Sequence, residues 1–289
     1  MTPNKSHRPR TFARLLAATA AAIGSVFVLS SGTATADADQ YDVDQYLGTW
    51  NYVQPDFSTG TNIAVMQLPG LEYKIPQIGT VVFEREPGGV VGRTDQGCTW
   101  HFTPKADGLD LSSKDQYCFN KVIGSGYNID TWHVSARGKQ EEEVVHATSD
   151  FNGGQYPFVL DKGSRTKAGI ENPRDTLEHF IGTWTYDPAD PTSGINLLNP
   201  QRVPKTGTVT FTPGDRGQIK ARTDDGCAWT LAVDGNTAEL SRTPQQCGAQ
   251  TINFWSIASD GHHEFAIING IDAQGKPYLL SIGSLTKTS

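Results

Sequence analysis

Residues 93–100, Arg-Thr-Asp-Gln-Gly-Cys-Thr-Trp, return at 222–229 as Arg-Thr-Asp-Asp-Gly-Cys-Ala-Trp. This near-identity is one block of a longer duplication. Tyr46-Leu47-Gly48-Thr49-Trp50 returns as Phe180-Ile181-Gly182-Thr183-Trp184, and Gly79-Thr80-Val81-Val82-Phe83 as Gly207-Thr208-Val209-Thr210-Phe211. Val144 to Lys167 aligns with Glu264 to Lys287 at a constant offset of 120. The 6 tryptophans divide equally between the copies at matched positions. A chain of 289 residues built this way must write one fold twice, each copy closing its own core over roughly 125 residues, the span of one ordinary domain.

Residues 1–36 stand outside the repeat. Lys5, Arg8, Arg10 and Arg14 form a basic head, Leu15 to Leu29 an apolar stretch, and Ala34-Thr35-Ala36 a small-residue cleavage motif, with Ala36-Asp37-Ala38 as an alternative. This pattern predicts a secretory signal peptide cleaved near Ala36 or Ala38. The apolar run is too short for a membrane span, and no later segment is longer, so a secreted protein without a membrane anchor is expected. Removing the leader leaves 20 Lys+Arg against 31 Asp+Glu, a net charge of −11. Such a surface repels a phosphate backbone, which argues against nucleic acid as a partner.

The 4 cysteines are Cys98, Cys118, Cys227 and Cys247, and each pair is 20 residues apart at the same place in its copy. Four cysteines allow three connectivities, and duplication makes Cys98–Cys118 with Cys227–Cys247 the simplest. Export permits such bonds. A zinc site is the rival reading, but metal knuckles place cysteines two to four residues apart.

Reading in order, the first strand starts at Gly48 or Gly182, preceded by a helical turn at Asp42 to Gln45 and at Thr176 to His179. The segments 56–74 and 187–205 are rich in Gly, Pro, Ser and Asn without strict alternation, and read as long loops. Alternation then turns Val81 and Phe83, or Val209 and Phe211, to one face. The Asp-x-Gly at 95–97 and 224–226 is hairpin chemistry rather than a catalytic carboxylate. Eight short strands per copy, joined mostly by hairpins, describe an up-and-down antiparallel barrel better than a sandwich. The fold class is thus all-β, two tandem eight-stranded barrels each holding one disulfide. The boundaries are 37–167 for the first repeat, 168–174 for a linker and 175–289 for the second.

The Gly-Thr-Trp opening followed by short strands resembles the first strand of the calycin superfamily, the lipocalins and fatty-acid-binding proteins. The resemblance is at the level of fold and covers most of 41–288. It implies a barrel that holds a small molecule, its base plugged by the helical turn. In the first repeat Trp50, Phe83, Trp100, Phe102, Trp132 and Phe158 are expected to line the interior. In the second these are Trp184, Phe211, Trp229, Trp255, Phe265 and Tyr278. An aromatic lining suits a flat apolar ligand, and equally a plain core.

His101, His133, His146, His179, His262 and His263 have no histidine counterpart in the other copy, and neighbours on a strand point opposite ways, so no metal is expected. No cofactor is implied either. Glu141-Glu142-Glu143 reads as a solvated turn. No nucleophile elbow, His-Glu-x-x-His pair or phosphate loop occurs. The leading expectation is a secreted, non-catalytic protein that binds a small apolar or aromatic molecule. The alternatives are an exported scaffold or protease inhibitor gripping a protein partner through loops 56–74 and 187–205, and a barrel isomerase or cyclase using an inward polar residue such as Asn269 or Tyr278.

Overall fold

The structure is a computed structural model that describes residues 41–151, 153–169, 173–189, 194–198 and 201–289. The leader, its cleavage site, residues 170–172 of the linker and parts of 187–205 lie outside the described residues. The strands of the first repeat are β1 (Gly48–Tyr52), β2 (Ile63–Leu68), β3 (Leu71–Pro76), β4 (Thr80–Glu86), β5 (Gly89–Thr94), β6 (Thr99–Pro104), β7 (Leu109–Leu111), β8 (Gln116–Asn120), β9 (Ser125–Arg137), β10 (Gln140–Phe151) and β11 (Gly154–Lys167). After helix α1 (Pro173–Phe180) come β12 (Gly182–Tyr186), β13 (Ile195–Leu198), β14 (Gln201–Pro204), β15 (Thr208–Pro213), β16 (Gln218–Thr223), β17 (Ala228–Asp234), β18 (Thr237–Leu240), β19 (Gln245–Cys247), β20 (Gln250–Ser259), β21 (His263–Ile271) and β22 (Pro277–Lys287).

Eight strands of each repeat close into an antiparallel barrel. The first ring runs β1-β4-β5-β6-β7-β9-β10-β11 and shuts where Trp50 pairs with Lys167 and Tyr52 with Arg165. The second runs β12-β15-β16-β17-β18-β20-β21-β22 and shuts where Trp184 pairs with Lys287 and Tyr186 with Leu285. Closure leaves no ring strand with a free edge. Inward residues form one core per barrel, with Val81, Phe83, Val209 and Phe211 buried as alternation requires.

The plug at each base is stitched to the first strand by the tryptophan that opens it. Trp50 Nε1 donates to Tyr46 O at 2.6 Å, and Trp184 Nε1 to Phe180 O at 2.7 Å, so both indoles are fully buried with their polar hydrogen satisfied. Gly48 and Gly182, at φ +113° and +135°, make the sharp entry that places the tryptophan there. In the second copy the plug is a helix of 8 residues that begins at Pro173. Disulfides join Cys98 to Cys118 and Cys227 to Cys247, Cα atoms 5.7 Å apart in both, and tie the β8 and β19 excursions to the ring.

Two expectations about the chain path are corrected. The segments 56–74 and 187–205 are not open loops, since each contains a hairpin. β2 and β3 extend the sheet from the upper half of β11, Met66 facing Phe158, and β13 and β14 do the same from β22. A long strand can pair with the short first strand at one end and with this hairpin at the other. Because the hairpin is an edge with Leu71 exposed, burial imposes no strict alternation on it, and the pattern is faint. The constant offset of 120 also fails over β10. Trp132 faces Val145 and Trp255 faces Ile268, while Glu141 faces Arg165 and Glu264 faces Leu285. Glu141 therefore corresponds to Glu264, an offset of 123, and the hairpin of β10 and β11 is longer by three residues than that of β21 and β22.

The barrels touch through a third apolar cluster. Ile78 of the first packs with Ala258 and Ile267 of the second, flanked by Val122, Phe254 and Phe265. Asn51 Nδ2 donates to Asp234 O at 3.1 Å, and Asn269 Nδ2 to Val122 O at 3.0 Å.

Candidate functional site inside the barrels

The first barrel holds a partly open cavity of about 130 Å³ whose walls include Trp100, Trp132, Phe158, Ile129 and Leu160. Tyr52 and Arg165 lie on its lower side, and Gln77, Asp95, Gln96 and Asn120 at the end away from the plug. The rings meet edge to face. Phe102 and Trp132 centroids are 5.1 Å apart, Phe83 and Phe102 5.5 Å, Tyr127 and Phe158 5.6 Å. Such contacts lock the wall, so the space is a feature of packing rather than a slack core.

Below the cavity sits a buried polar cluster. Glu141, Glu143 and Arg165 are each no more than 2% exposed. Arg165 Nη2 bonds Glu143 Oε2 and lies 2.5 Å from Glu141 Oε1. Glu143 also accepts from Tyr52 Oη at 2.6 Å and from Trp132 Nε1 at 2.7 Å, so it is held by a cation, a phenol and an indole. Glu141 accepts no directed hydrogen bond among the described residues. Burial pushes its carboxyl up to about 8, against the pull of Arg165. Burial lowers the Arg165 guanidinium, but Glu141 and Glu143 outweigh it and keep it charged. Arg165 Nε and Nη1 have no partner among the described residues, while the guanidinium carbon sits 5.2 Å from the Tyr52 ring centroid and 5.7 Å from that of Trp132.

The backbone makes room for this cluster. Between Leu160 and Gly163 the ladder to β10 slips by one residue, which turns Gly163 and Arg165 inward. A side chain at Gly163 would begin 2.1 Å from Glu143 Cγ, so only glycine admits the carboxylate. The reading of Glu141-Glu142-Glu143 as a solvated turn is corrected here, because only Glu142 is exposed. Alternation counted back from buried Val145 and Ala147 turns Glu143 and Glu141 inward.

In the second barrel Arg165 is replaced by Leu285 and Glu143 by Ala266, while Glu264 stays at the place of Glu141, 1% exposed. Among the described residues neither oxygen of Glu264 has a hydrogen-bond partner, and neither does Trp255 Nε1. Burial alone holds the Glu264 carboxyl well above its ordinary range.

Of the aromatic residues expected to line the first barrel, Trp100, Trp132 and Phe158 border the cavity, whereas Trp50, Phe83 and Phe102 are fully buried core away from it. In the second, Trp184, Phe211, Trp229 and Trp255 belong to the barrel core and Tyr278 packs against it. Phe265 is the exception and is corrected. It lies between inward Glu264 and Ala266, so it faces out, its ring 6.0 Å from Phe57 in the contact between barrels. His101 and His133 also face out, Nδ1 at 2.8 Å from Glu86 and 2.7 Å from Asp110.

No family profile and no curated protein matches the chain. Among solved structures it is similar to a protein of unknown function in the DUF3598 family from Nostoc punctiforme, 11% identical with a TM-score of 0.29. It is also similar to a Bacteroides fragilis chain provisionally named an outer membrane protein, 10% identical with a TM-score of 0.25. Each alignment covers 84% of this chain and 97% of the other.

Proposed function

We propose that the protein is exported and binds a small aromatic molecule in the first barrel, as a carrier or sensor rather than as an enzyme. The observation that carries this reading is the 130 Å³ cavity with two unpartnered donors of Arg165 beside it. An apolar cavity of about 150 Å³ accepts a benzene ring, so the space suits one ring rather than an acyl chain. A carboxylate would bring a third acid beside the buried Glu141 and Glu143, which already share Arg165. A neutral ring with a carbonyl acceptor adds the hydrogen bond that Arg165 lacks without that penalty. The calycin-like opening strand supports the reading, and the basic head, the apolar stretch and the two formed disulfides support export.

Tryptophan fluorescence titration tests it, since Trp100 and Trp132 border the space. Acetophenone is expected to quench with one saturating site, and oleate and benzoate to bind far more weakly. An emission unmoved by acetophenone, or a preference for oleate, would refute the proposal.

A further inference from the structure

Where the barrels meet, two acids share a partly open groove of about 420 Å³. Asp95, in the Asp-x-Gly turn of the first barrel, and Glu239, on β18 of the second, both border it, and their carboxyls come together there. Val122, Leu240 and Phe254 supply an apolar wall, and Asn253 and Asn269 a polar one. Clefts of this size between two domains, with a few convergent polar groups, are characteristic places for small molecules to bind.

Each acid has a counterpart in the other copy, and each counterpart is satisfied. Asp224, in the equivalent turn, accepts from Thr208 N at 2.6 Å and bonds the Thr208 hydroxyl as well. That hydroxyl and amide hold it below the ordinary carboxylate range. Asp110 faces His133 across the ladder as Glu239 faces Ser256, and His133 Nδ1 lies 2.7 Å from its carboxylate. At the junction the supply of donors is poorer. Asp95 Oδ2 is shut off from solvent and has no hydrogen-bond partner among the described residues. Glu239 receives one long bond, 3.5 Å from Ser256 Oγ. Burial first, and the charge of Glu239 second, raise the Asp95 carboxyl well above its ordinary value, against the amides of Thr80 and Gln96. Burial raises Glu239 too, and Asp234 adds another negative charge to its field. Lys121 also borders the groove, exposed to solvent. Two acceptors brought together in this way are relieved by a shared proton or by a cation set between them.

We propose that the groove between the barrels binds a small organic cation of the guanidine class, its planar fork held between Asp95 and Glu239 and its apolar tail against Val122, Leu240 and Phe254. A guanidinium presents parallel N–H groups to two carboxyl oxygens and is more weakly hydrated than a compact ammonium, so it suits a half-buried pair of acids. A calcium ion takes six to eight oxygens, and no cluster of three metal-ligating side chains forms among the described residues.

Calorimetric titration of the full chain with butylguanidine, and with butylurea as its uncharged counterpart of similar shape, tests it. The guanidine is expected to bind one site, and the urea about ten-fold more weakly or worse. Because Asp95 also borders the first-barrel cavity, the variant is placed at Glu239, which does not. E239Q is expected to weaken the guanidine about ten-fold while its circular dichroism stays that of the parent chain. The absence of guanidine binding, equal binding of guanidine and urea, or guanidine binding that a folded E239Q retains overturns the inference. Calcium that displaces the guanidine and binds more tightly overturns it as well, in favour of a metal site. The comparison of guanidine with urea uses the unaltered chain, so it decides the matter even where E239Q fails to fold.

Discussion

Arg165 and Glu141 form the buried polar centre of the first barrel, and each supports a prediction. Removing one member of a buried ion pair strands the other, so R165M is expected to cost about 3–5 kcal/mol, read from urea unfolding at pH 7. Glu141 gives a pH signature. Its folded carboxyl titrates at about 8, above its unfolded value, so the folded state binds the extra proton. The stability it contributes is complete below the unfolded value near 4.5 and is lost as pH rises towards 8. Stability is expected to fall by up to about 1.4 kcal/mol per pH unit across that window, and E141Q to flatten the slope. Glu264, Asp95 and Glu239 are raised by burial in the same sense, so the slope shrinks rather than vanishes. An unchanged slope in E141Q would mean that Glu141 is ionised already. The sequence showed the aromatic interior but hid this cluster. Three successive glutamates look like solvent-facing charge, and the bulge after Leu160 shifts Arg165 off the alternation that Phe158 and Leu160 set.

The elements divide in the same way between what sequence displays and what it conceals. Ring strands with one face in the core must alternate, and they were legible from Gly79 and Gly207 onward, as was the disulfide pairing. The hairpin β2–β3 was not, because it lies at an edge, where its short pairing with β11 is reinforced by one buried polar residue. Asn62, fully buried at φ +53°, donates to Val53 O at 2.8 Å and to Ser164 O at 2.9 Å, and accepts from Ser164 N at 2.7 Å. Three such bonds at about 1 kcal/mol each predict that N62A costs about 3 kcal/mol. Hydrogen exchange should then speed up in β2 and β3 before it does in the ring. Uniform exchange across the barrel would show that the hairpin is not a separate unit.

At the scale of the molecule, duplication copied a frame and left the interiors free to diverge. The first barrel sets its own cation against its buried acids and keeps a ring-sized space. The second keeps the acid and has lost the cation. Ile78, Ala258 and Ile267 join the two, with polar contacts such as Asn51 to Asp234, so the barrels are expected to unfold together in one transition. Placing a charge at this contact with I267D is expected to split the melt into two steps, and a single unshifted transition would show that the contact contributes little.

The most direct measurement is a crystal of the full chain soaked with 4-bromoacetophenone, located by the anomalous signal of bromine. The account predicts one peak inside the first barrel, between the walls of Trp100, Trp132 and Phe158, with the carbonyl towards Arg165. Bromine found only on the outer surface, or a filled first barrel that excludes it at saturating probe, would contradict the account.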